Sequence, residues 1–248
     1  MESIIEISDL NKSFGGLIVT RNLSLKVETG EFFGILGPNG AGKTTLFNEM
    51  TGFVHPDRGK IIYKGENIIG LKPYQIANIG IVRTFQLVRP FKECTVMENI
   101  IIPSVSPRMK KKLRDHHELN KWVKQIVEFC DLEDFLNKEV ESLPYGILRK
   151  LELAKALAMS PDLLLLDEPF SGISEREIEP LSRIIKNANN SGTTIILIEH
   201  KLREFMKLVN RILVIDHGEA IAMGTPLEIV NNKVVIESYM GGEYNETS

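Results

Sequence analysis

The amino-acid sequence predicts an α/β protein with an antiparallel β subdomain at its N-terminus and a helical insertion in its core. Three observations lead to this fold class. The first thirty residues alternate apolar and polar positions, as half-buried antiparallel strands do. Later apolar runs alternate with helical stretches, which is typical of a parallel sheet. Residues from about 95 to 159 have helical spacing and no strand alternation.

Length and composition limit the class of protein further. A chain of 248 residues favours one domain, or one core with a sizeable insertion. Its 43% hydrophobic and 25% charged residues exclude wholesale disorder. The net charge of -3 provides no general field that would attract nucleic acid or an anionic membrane. We therefore expect no nucleic-acid partner.

The apolar runs and the cysteines indicate where the protein works. Every clean apolar run is far shorter than the roughly 18 residues of a membrane-spanning helix, and residues 1–6 lack the features of a signal peptide. Cys94 and Cys130 stand far apart without a metal-ligand pattern. We expect both to be reduced packing residues, with a disulfide as the less favoured alternative. The sequence thus predicts a soluble, intracellular protein.

The strands of the predicted core can be placed in chain order. Alternation predicts half-buried strands around Ile5–Leu10 and Leu23–Val27, the latter ending at the turn Thr29-Gly30. Continuous apolar runs predict strands buried on both faces. They cover residues 32–36, 162–167 and 194–198. Residues 216–219 then predict the turn of a hairpin between strands at 212–215 and 220–222.

Helices are predicted after the first buried strand, in the insertion and around residues 178–187. In the insertion, helical spacing is carried by Trp122, Val123, Ile126, Val127 and Cys130. The same stretch holds the basic run 108–112. We interpret this run as a solvated helix face or loop in preference to a binding patch.

A phosphate-binding loop is predicted between the strand 32–36 and the helix that follows it. The pattern G-x-x-x-x-G-K-[ST] is matched without a gap by Gly37, Pro38, Asn39, Gly40, Ala41, Gly42, Lys43 and Thr44, and Thr45 follows directly. Glycines let successive amides point at phosphate oxygens, and the helix adds its positive N-terminal end. In such loops the lysine reaches the β- and γ-phosphates and the hydroxyl ligates Mg²⁺. A glycine-rich turn without this role is the alternative.

Three further polar residues lie at strand ends. Asp167 ends an apolar strand, where a carboxylate can hold Mg²⁺, and Glu168 follows at the position for a general base that activates water. A solvated acidic strand end is the alternative for this pair. His200 closes the buried strand run 195–200, at the edge where α/β sheets place ligands, and is a candidate γ-phosphate sensor. A lone histidine is more often structural.

Taken together, these residues resemble the ATP-binding subunit of an ABC transporter over essentially the whole chain. The resemblance implies ATP and Mg²⁺ as ligands and ATP hydrolysis with Glu168 and His200 as catalytic residues. It implies that Phe14 stacks on adenine, and that Gln86 meets Mg²⁺ together with Thr44 and Asp167. It also implies a RecA-like P-loop NTPase core with the β subdomain in residues 1–86 and 160–248, and a helical subdomain in 87–159.

Two elements of that family's pattern are altered. The signature segment, usually Leu-Ser-Gly-Gly-Gln, reads Leu143, Pro144, Tyr145, Gly146 and Ile147. In the family this segment caps the γ-phosphate bound to the opposite subunit, so Pro144, Tyr145 and Gly146 are predicted nucleotide contacts. Pro144 removes a hydroxyl and an N–H, whereas Gly146 keeps close backbone approach. The second alteration is Ser174, where the family usually has Asp or Asn.

These alterations lead to a hypothesis on partners. The chain's own phosphate loop, Asp167, Glu168 and His200 are intact, so it should work best beside a different ATPase subunit with a complete signature. A heterodimer is therefore favoured over a homodimer. The family resemblance also implies transmembrane permease subunits, which would hold the chain peripherally at the cytoplasmic face of the cell membrane.

A closer branch is indicated by four segments, which resemble ATPases of branched-chain amino-acid uptake. They are residues 80–86, residues 95–99, residues 198–200, and the C-terminal segment that runs from 224–229 to Tyr239-Met240-Gly241. Urea and lipopolysaccharide transport ATPases share much of this pattern and stay open as alternatives. A repair or translation ATPase lacks support because there are no sustained heptads and only one phosphate loop. A GTPase lacks support because no Asn-Lys-x-Asp occurs.

Overall fold

The computed structural model describes the backbone of residues 2–243 and the side chains of residues 2–238. The chain divides into two compact units. The first comprises the described residues up to 76 and from 194 onward, and the second comprises residues 77–193. The predicted helical subdomain, 87–159, lies within the second unit, and its exact limits stay a prediction. The side chains of the Tyr239-Met240-Gly241 motif lie outside the described residues.

The first unit opens with an antiparallel sheet. Strands β1 (Ser3–Phe14) and β2 (Leu17–Glu28) pair antiparallel over most of their length. Strand β4 (Arg58–Tyr63) pairs antiparallel with β1, and β5 (Glu66–Asn67) pairs with β4. The sheet order is β2-β1-β4-β5, which confirms the predicted antiparallel β subdomain.

A second sheet of this unit is built around a fully buried strand. Strand β3 (Phe32–Leu36) lies between β8 (Thr194–Ile198) and β9 (Arg211–Asp216), and both pairings are parallel. Every residue of β3 and of β8 is buried, as their continuous apolar runs predict. Strand β10 (Glu219–Gly224) returns antiparallel to β9. The predicted hairpin is confirmed.

Five helices surround or follow these strands. Helix α2 begins in the first unit and ends in the second, and the other four belong to the first unit. They are α1 (Lys43–Met50), α2 (Pro73–Ile79), α8 (Leu202–Leu208), α9 (Pro226–Val230) and α10 (Lys233–Glu243). None of the helices in the described part of the chain is both long and apolar enough to cross a membrane.

The second unit has two parallel strands and the predicted helices. Strand β6 (Ile81–Arg83) pairs with β7 (Leu163–Asp167), and Arg83 lies opposite Leu165. The helices are α3 (Val96–Ser104), α4 (Pro107–Lys110), α5 (His116–Phe129), α6 (Tyr145–Leu157) and α7 (Glu175–Asn190). Side chains of Thr95, Ser106 and Asp115 cap α3, α4 and α5, so polar residues set these helix starts.

The basic run 108–112 differs from the prediction at two positions. The guanidinium of Arg108 pairs with Asp162 at 2.9 Å and its side chain is only 10% exposed, while Met109 is buried. Lys112 donates to the Ser160 hydroxyl at 2.7 Å. The expectation of a solvated face is therefore wrong for Arg108 and Met109, because this turn is anchored to the residues just before β7.

The two cysteines agree with their predicted packing role. Cys130 is fully buried at the end of α5, and Cys94 is half-buried. Both are free thiols, as expected. Burial raises the pKa of the Cys130 thiol to about 12, so it stays protonated at neutral pH.

Candidate nucleotide site

The phosphate loop of the first unit connects β3 to α1. Positive φ angles at Gly40 and Gly42, 80° and 101°, turn the chain back so that the helix can begin at Lys43. The first turn of α1 contains no acidic side chain, so the positive end of the helix is not neutralised locally. The loop therefore has the strand–loop–helix setting that phosphate binding needs.

Lys43 is folded back onto this loop. Its ammonium donates to the carbonyl oxygens of Gly37 and Pro38 at 2.7 and 2.8 Å, and the residue is buried. The ammonium is thus held beside the loop amides. Phosphate oxygens that enter the loop would find a cation already in place.

The other predicted loop residues differ in exposure. Ala41 and Gly42 are buried, whereas Asn39, Gly40 and the Thr44 side chain are exposed and Pro38 and Thr45 are half-buried. The Ala41 N–H donates to the Pro38 carbonyl at 3.2 Å, and the Ala41 carbonyl accepts from the Gly218 N–H at 3.1 Å. The base of the loop is therefore held by backbone bonds while its rim faces solvent.

Phe14 ends β1 with its side chain in the open. It is 49% exposed, which leaves aromatic surface available for stacking. The Lys12 ammonium lies 5.3 Å from the ring centroid and also pairs with Asp57 at 2.7 Å. Hydrogen bonds from the Lys12 side chain and the Ser13 N–H lower the pKa of Asp57, which keeps that carboxylate charged.

His200 follows β8 and is exposed. The preceding residue, Glu199, is buried and its carboxylate accepts from the N–H groups of His200 at 3.0 Å and Lys201 at 3.2 Å. This arrangement fixes the backbone on which His200 stands, just before α8. The histidine side chain is consequently presented at the carboxyl end of a buried strand, as predicted.

In the second unit, Asp167 is the buried last residue of β7. Its Oδ2 pairs with Nη2 of Arg83 at 2.6 Å, and the two side chains are only 6% and 5% exposed. Sequence reasoning missed Arg83. The available signal was an arginine ending the short apolar run Ile81-Val82, because a buried guanidinium needs a carboxylate.

Glu168 turns the chain away from β7 in an unusual backbone conformation. Its φ is 48°, in the left-handed region that only a few per cent of non-glycine residues occupy. The Gln86 amide donates to its Oε2 at 2.8 Å. The structure thus brings Gln86 and Glu168 together, and a carboxylate held in this way can accept a proton from water.

The signature segment begins α6. Pro144 is the N-cap and contributes no side-chain cap, while its carbonyl accepts from the N–H groups of Ile147 and Leu148 at 3.0 and 3.1 Å. The Arg149 guanidinium lies 5.1 Å from the centroid of the Tyr145 ring, and a Cβ at Gly172 would lie 2.8 Å from a carbon of that ring. Pro144 is therefore accommodated at the start of α6, where its missing N–H is not needed.

Gly146 has a packing role within the chain. A Cβ at this position would collide with the carboxylate of Glu177. Glu177 in turn accepts from the Ser174 hydroxyl at 2.6 Å and the Ser174 N–H at 2.8 Å, which lower its pKa. Ser174, the second alteration noted above, thus begins α7 in a capping box.

Oxygen donors that Mg²⁺ can use are present among the described residues. Mg²⁺ is usually held by one or two protein oxygens together with substrate phosphates. Arg83 contacts Oδ2 of Asp167, so Oδ1 is left for a metal-bound water, and the Thr44 hydroxyl is exposed. In the described residues, no group of three or more His, Cys, Asp or Glu side chains is placed to hold a metal ion.

Comparisons with known proteins identify the class to which this protein belongs. A sequence model described as ABC transporter matches residues 20–171, and one described as branched-chain amino acid ATP-binding cassette transporter matches residues 221–245. The high-affinity branched-chain amino acid transport ATP-binding protein BraF of Pseudomonas aeruginosa is 38% identical over 252 residues, covering 96% of this chain and 98% of that protein.

Two solved structures share the fold. An ATP-binding cassette of an ABC transporter in its ADP conformation has a TM-score of 0.87 and 28% identity, covering 97% of this chain and 100% of that one. A dimeric bacterial ABC transporter cassette has a TM-score of 0.79 and 23% identity, covering 90% and 98%. The predicted P-loop NTPase core with its antiparallel β subdomain is confirmed.

The chain therefore belongs to the ATP-binding subunits of ABC transporters, which bind ATP and hydrolyse it to energise transport. Within that class it is a member of the family of branched-chain amino acid transport ATP-binding proteins. The predicted family is confirmed.

Proposed function

We propose that this chain is the ATP-hydrolysing motor subunit of an importer of branched-chain amino acids. The match of residues 221–245 and the 38% identity to BraF support this substrate class. A urea or lipopolysaccharide transporter is the alternative. The observation that carries the hydrolytic role is the carboxylate of Glu168, held by the Gln86 amide at 2.8 Å.

ATP would be bound by the phosphate loop and by Phe14. The amides of residues 37–43 would surround the phosphates, and Lys43 would exchange the Gly37 and Pro38 carbonyls for phosphate oxygens. The exposed ring of Phe14 would stack on adenine. Thr45, in the first turn of α1, would also contact the nucleotide.

Mg²⁺ would be held by Thr44, Gln86 and Asp167, and when bound it supplies charge neutralisation on the β- and γ-phosphates. Glu168 would orient the attacking water and accept its proton. His200 would detect the γ-phosphate. Lys43, Gln86 and His200 would thereby respond to the γ-phosphate, which ADP lacks, and this difference in binding is what a conformational change requires.

The working assembly would contain two ATPase subunits and transmembrane permease subunits. Pro144, Tyr145 and Gly146 would face the nucleotide of the opposite subunit. Because Pro144 supplies neither a hydroxyl nor an N–H, we favour a heterodimer with a subunit that has a complete signature, and the homodimer is the alternative. The assembly would place this chain at the cytoplasmic face of the cell membrane.

The test begins with the neighbouring genes. Permeases, a binding protein and a second ATPase encoded beside this chain would be produced together with it, purified and reconstituted in proteoliposomes. We expect ATP hydrolysis stimulated by leucine, isoleucine or valine with the binding protein. Stimulation by urea and not by these amino acids would show that the substrate is urea. Wild-type turnover in Glu168→Gln would overturn the assignment of Glu168 to hydrolysis.

A further inference from the structure

We propose that Arg83 is a positioning residue that holds Asp167 in the orientation needed to receive Mg²⁺. The inference rests on the proposed function, in which Asp167 is a metal-holding carboxylate. It assigns a role in the reaction to a residue that contacts neither nucleotide nor metal in that mechanism. Its basis is a buried ion pair at the carboxyl end of two paired strands.

The pairing of β6 with β7 places the two side chains together. Arg83 lies opposite Leu165, and Asp167 is two residues further along β7. Alternate residues of a strand project from the same face, so Leu165 and Asp167 share a face. The Thr84 N–H continues the ladder to the Leu165 carbonyl at 3.0 Å, which fixes this register at the strand ends.

The ion pair engages only one side of the carboxylate. Nη2 of Arg83 donates to Oδ2 of Asp167 at 2.6 Å. The second oxygen, Oδ1, is therefore left to accept from a metal-bound water. Because both side chains are at most 6% exposed, bulk solvent competes little with the guanidinium, and the pair holds the carboxylate in one orientation.

The guanidinium is itself held in place. It lies 5.1 Å from the centroid of the Phe85 ring, a distance typical of cation–π contact. Gln86, the next residue, donates to Glu168. One short segment, residues 83–86, therefore contacts both neighbouring carboxylates, Asp167 through Arg83 and Glu168 through Gln86. Residues that do not bind a metal themselves but orient its ligands commonly matter for affinity: replacing them typically lowers the metal affinity 10–100-fold.

The same strand offers a matched control. Arg108 pairs with Asp162 at 2.9 Å, and Asp162 immediately precedes β7. This second arginine–aspartate pair has the same chemistry at the opposite end of the strand. Arg108→Met therefore removes a partly buried ion pair next to β7 without touching Asp167.

The experiment measures how much saturating Mg²⁺ tightens the binding of a fluorescent ATP analogue to the full chain, relative to EDTA. We expect Arg83→Met to reduce this Mg²⁺ gain by about tenfold or more, with binding in EDTA unchanged. Arg108→Met should leave the gain at its wild-type value. Arg83→Lys keeps the charge but not the planar fork, so it should lose a smaller part of the gain.

The outcomes separate the inference from the proposed function. A wild-type gain in Asp167→Asn would overturn the metal assignment itself. Loss of the gain in Asp167→Asn with a wild-type gain in Arg83→Met would overturn only the role of Arg83. If Arg83→Met does not fold, the Arg83→Lys variant decides, and a wild-type gain in that variant contradicts the inference. Equal losses in Arg83→Met and Arg108→Met would indicate a merely structural pair.

Discussion

The side-chain amide of Gln86 donates a hydrogen bond to the carboxylate of Glu168 across 2.8 Å. The two residues are 82 positions apart in the chain, but each follows one of the paired parallel strands β6 and β7. The left-handed backbone at Glu168 turns its side chain off the strand direction. The hydrogen bond then fixes the direction in which the carboxylate points.

Replacing Gln86 by leucine should slow hydrolysis while sparing nucleotide binding by the phosphate loop in the absence of Mg²⁺. A hydrogen bond to a charged group contributes about 1.5–3 kcal/mol, and the exposure of Gln86 places this one at the lower end, so we expect kcat to fall about tenfold. Steady-state ATPase assays of the assembled transporter would measure it. Gln125→Leu makes the same change at an exposed position of α5 and should leave kcat unchanged. A wild-type kcat in Gln86→Leu would contradict the prediction.

Local patterns in the sequence account for most of the core. The run Phe32–Leu36 is apolar at every position and is buried at every position, because a strand covered on both faces needs no alternation. The phosphate loop is equally predictable, since its glycines, Lys43 and the following helix are adjacent in the chain. Both features depend on neighbours within a few residues.

Features that depend on distant neighbours could not be predicted in this way. Strand β6 has only three residues, too few to show a period, so the sequence could indicate that a buried Arg83 needs a carboxylate but not that this carboxylate is Asp167. The burial of Glu49 was hidden for a similar reason. Helix α1 buries several of its faces, and the usual rule that a glutamate marks the solvent side fails there.

Glu49 should make the stability of the protein dependent on pH. It is only 3% exposed, and this burial raises its pKa from 4.5 to about 7, against the opposing effects of the Thr20 hydroxyl at 3.5 Å and of Lys12, while Asp57 adds to the rise. The folded state therefore binds a proton that the unfolded state releases between these pKa values. The free energy of unfolding should fall as pH rises from about 4.5 to about 7, and stay lower above it.

The variant Glu49→Gln should remove this dependence because glutamine is neutral at every pH. We expect urea unfolding to show a gain of up to about 3 kcal/mol at about pH 8 and little change at about pH 5, since each pKa unit corresponds to about 1.4 kcal/mol. Glu128→Gln, at an exposed position of α5, is the control. A gain of equal size at both pH values would contradict the assigned cause.

Replacing Pro144 by serine should stabilise α6 and also raise the ATPase activity of the isolated homodimer. The N-cap of α6 lacks a side-chain hydrogen bond, and a serine there would supply one, worth about 1 kcal/mol. The activity should rise for a separate reason, because serine restores the hydroxyl and the N–H that the signature segment lacks. Thermal unfolding and ATPase assays would measure the two effects independently.

Pro144→Asp separates these two effects. Aspartate caps a helix as well as serine does, so the stability should rise similarly. Its carboxylate would however repel a γ-phosphate, and the activity should not rise. If both variants raise the activity equally, helix stability is the cause and the hypothesis of a degraded signature fails. Unchanged activity in a correctly folded Pro144→Ser protein would contradict it as well.

The glycine at position 42 should tolerate no side chain, because two constraints meet there. Its φ of 101° is costly for any residue with a Cβ, and that Cβ would collide with the carbonyl oxygen of Val19, a backbone atom of β2. Gly42→Ala should therefore lower both the thermal stability and the affinity for a fluorescent ATP analogue. Gly40 has φ of 80° and open space around its Cβ position, so Gly40→Ala carries only the backbone strain, about 1–3 kcal/mol. We expect the stability loss of Gly42→Ala to exceed that of Gly40→Ala, and equal losses would show that contact with β2 does not determine the shape of the loop.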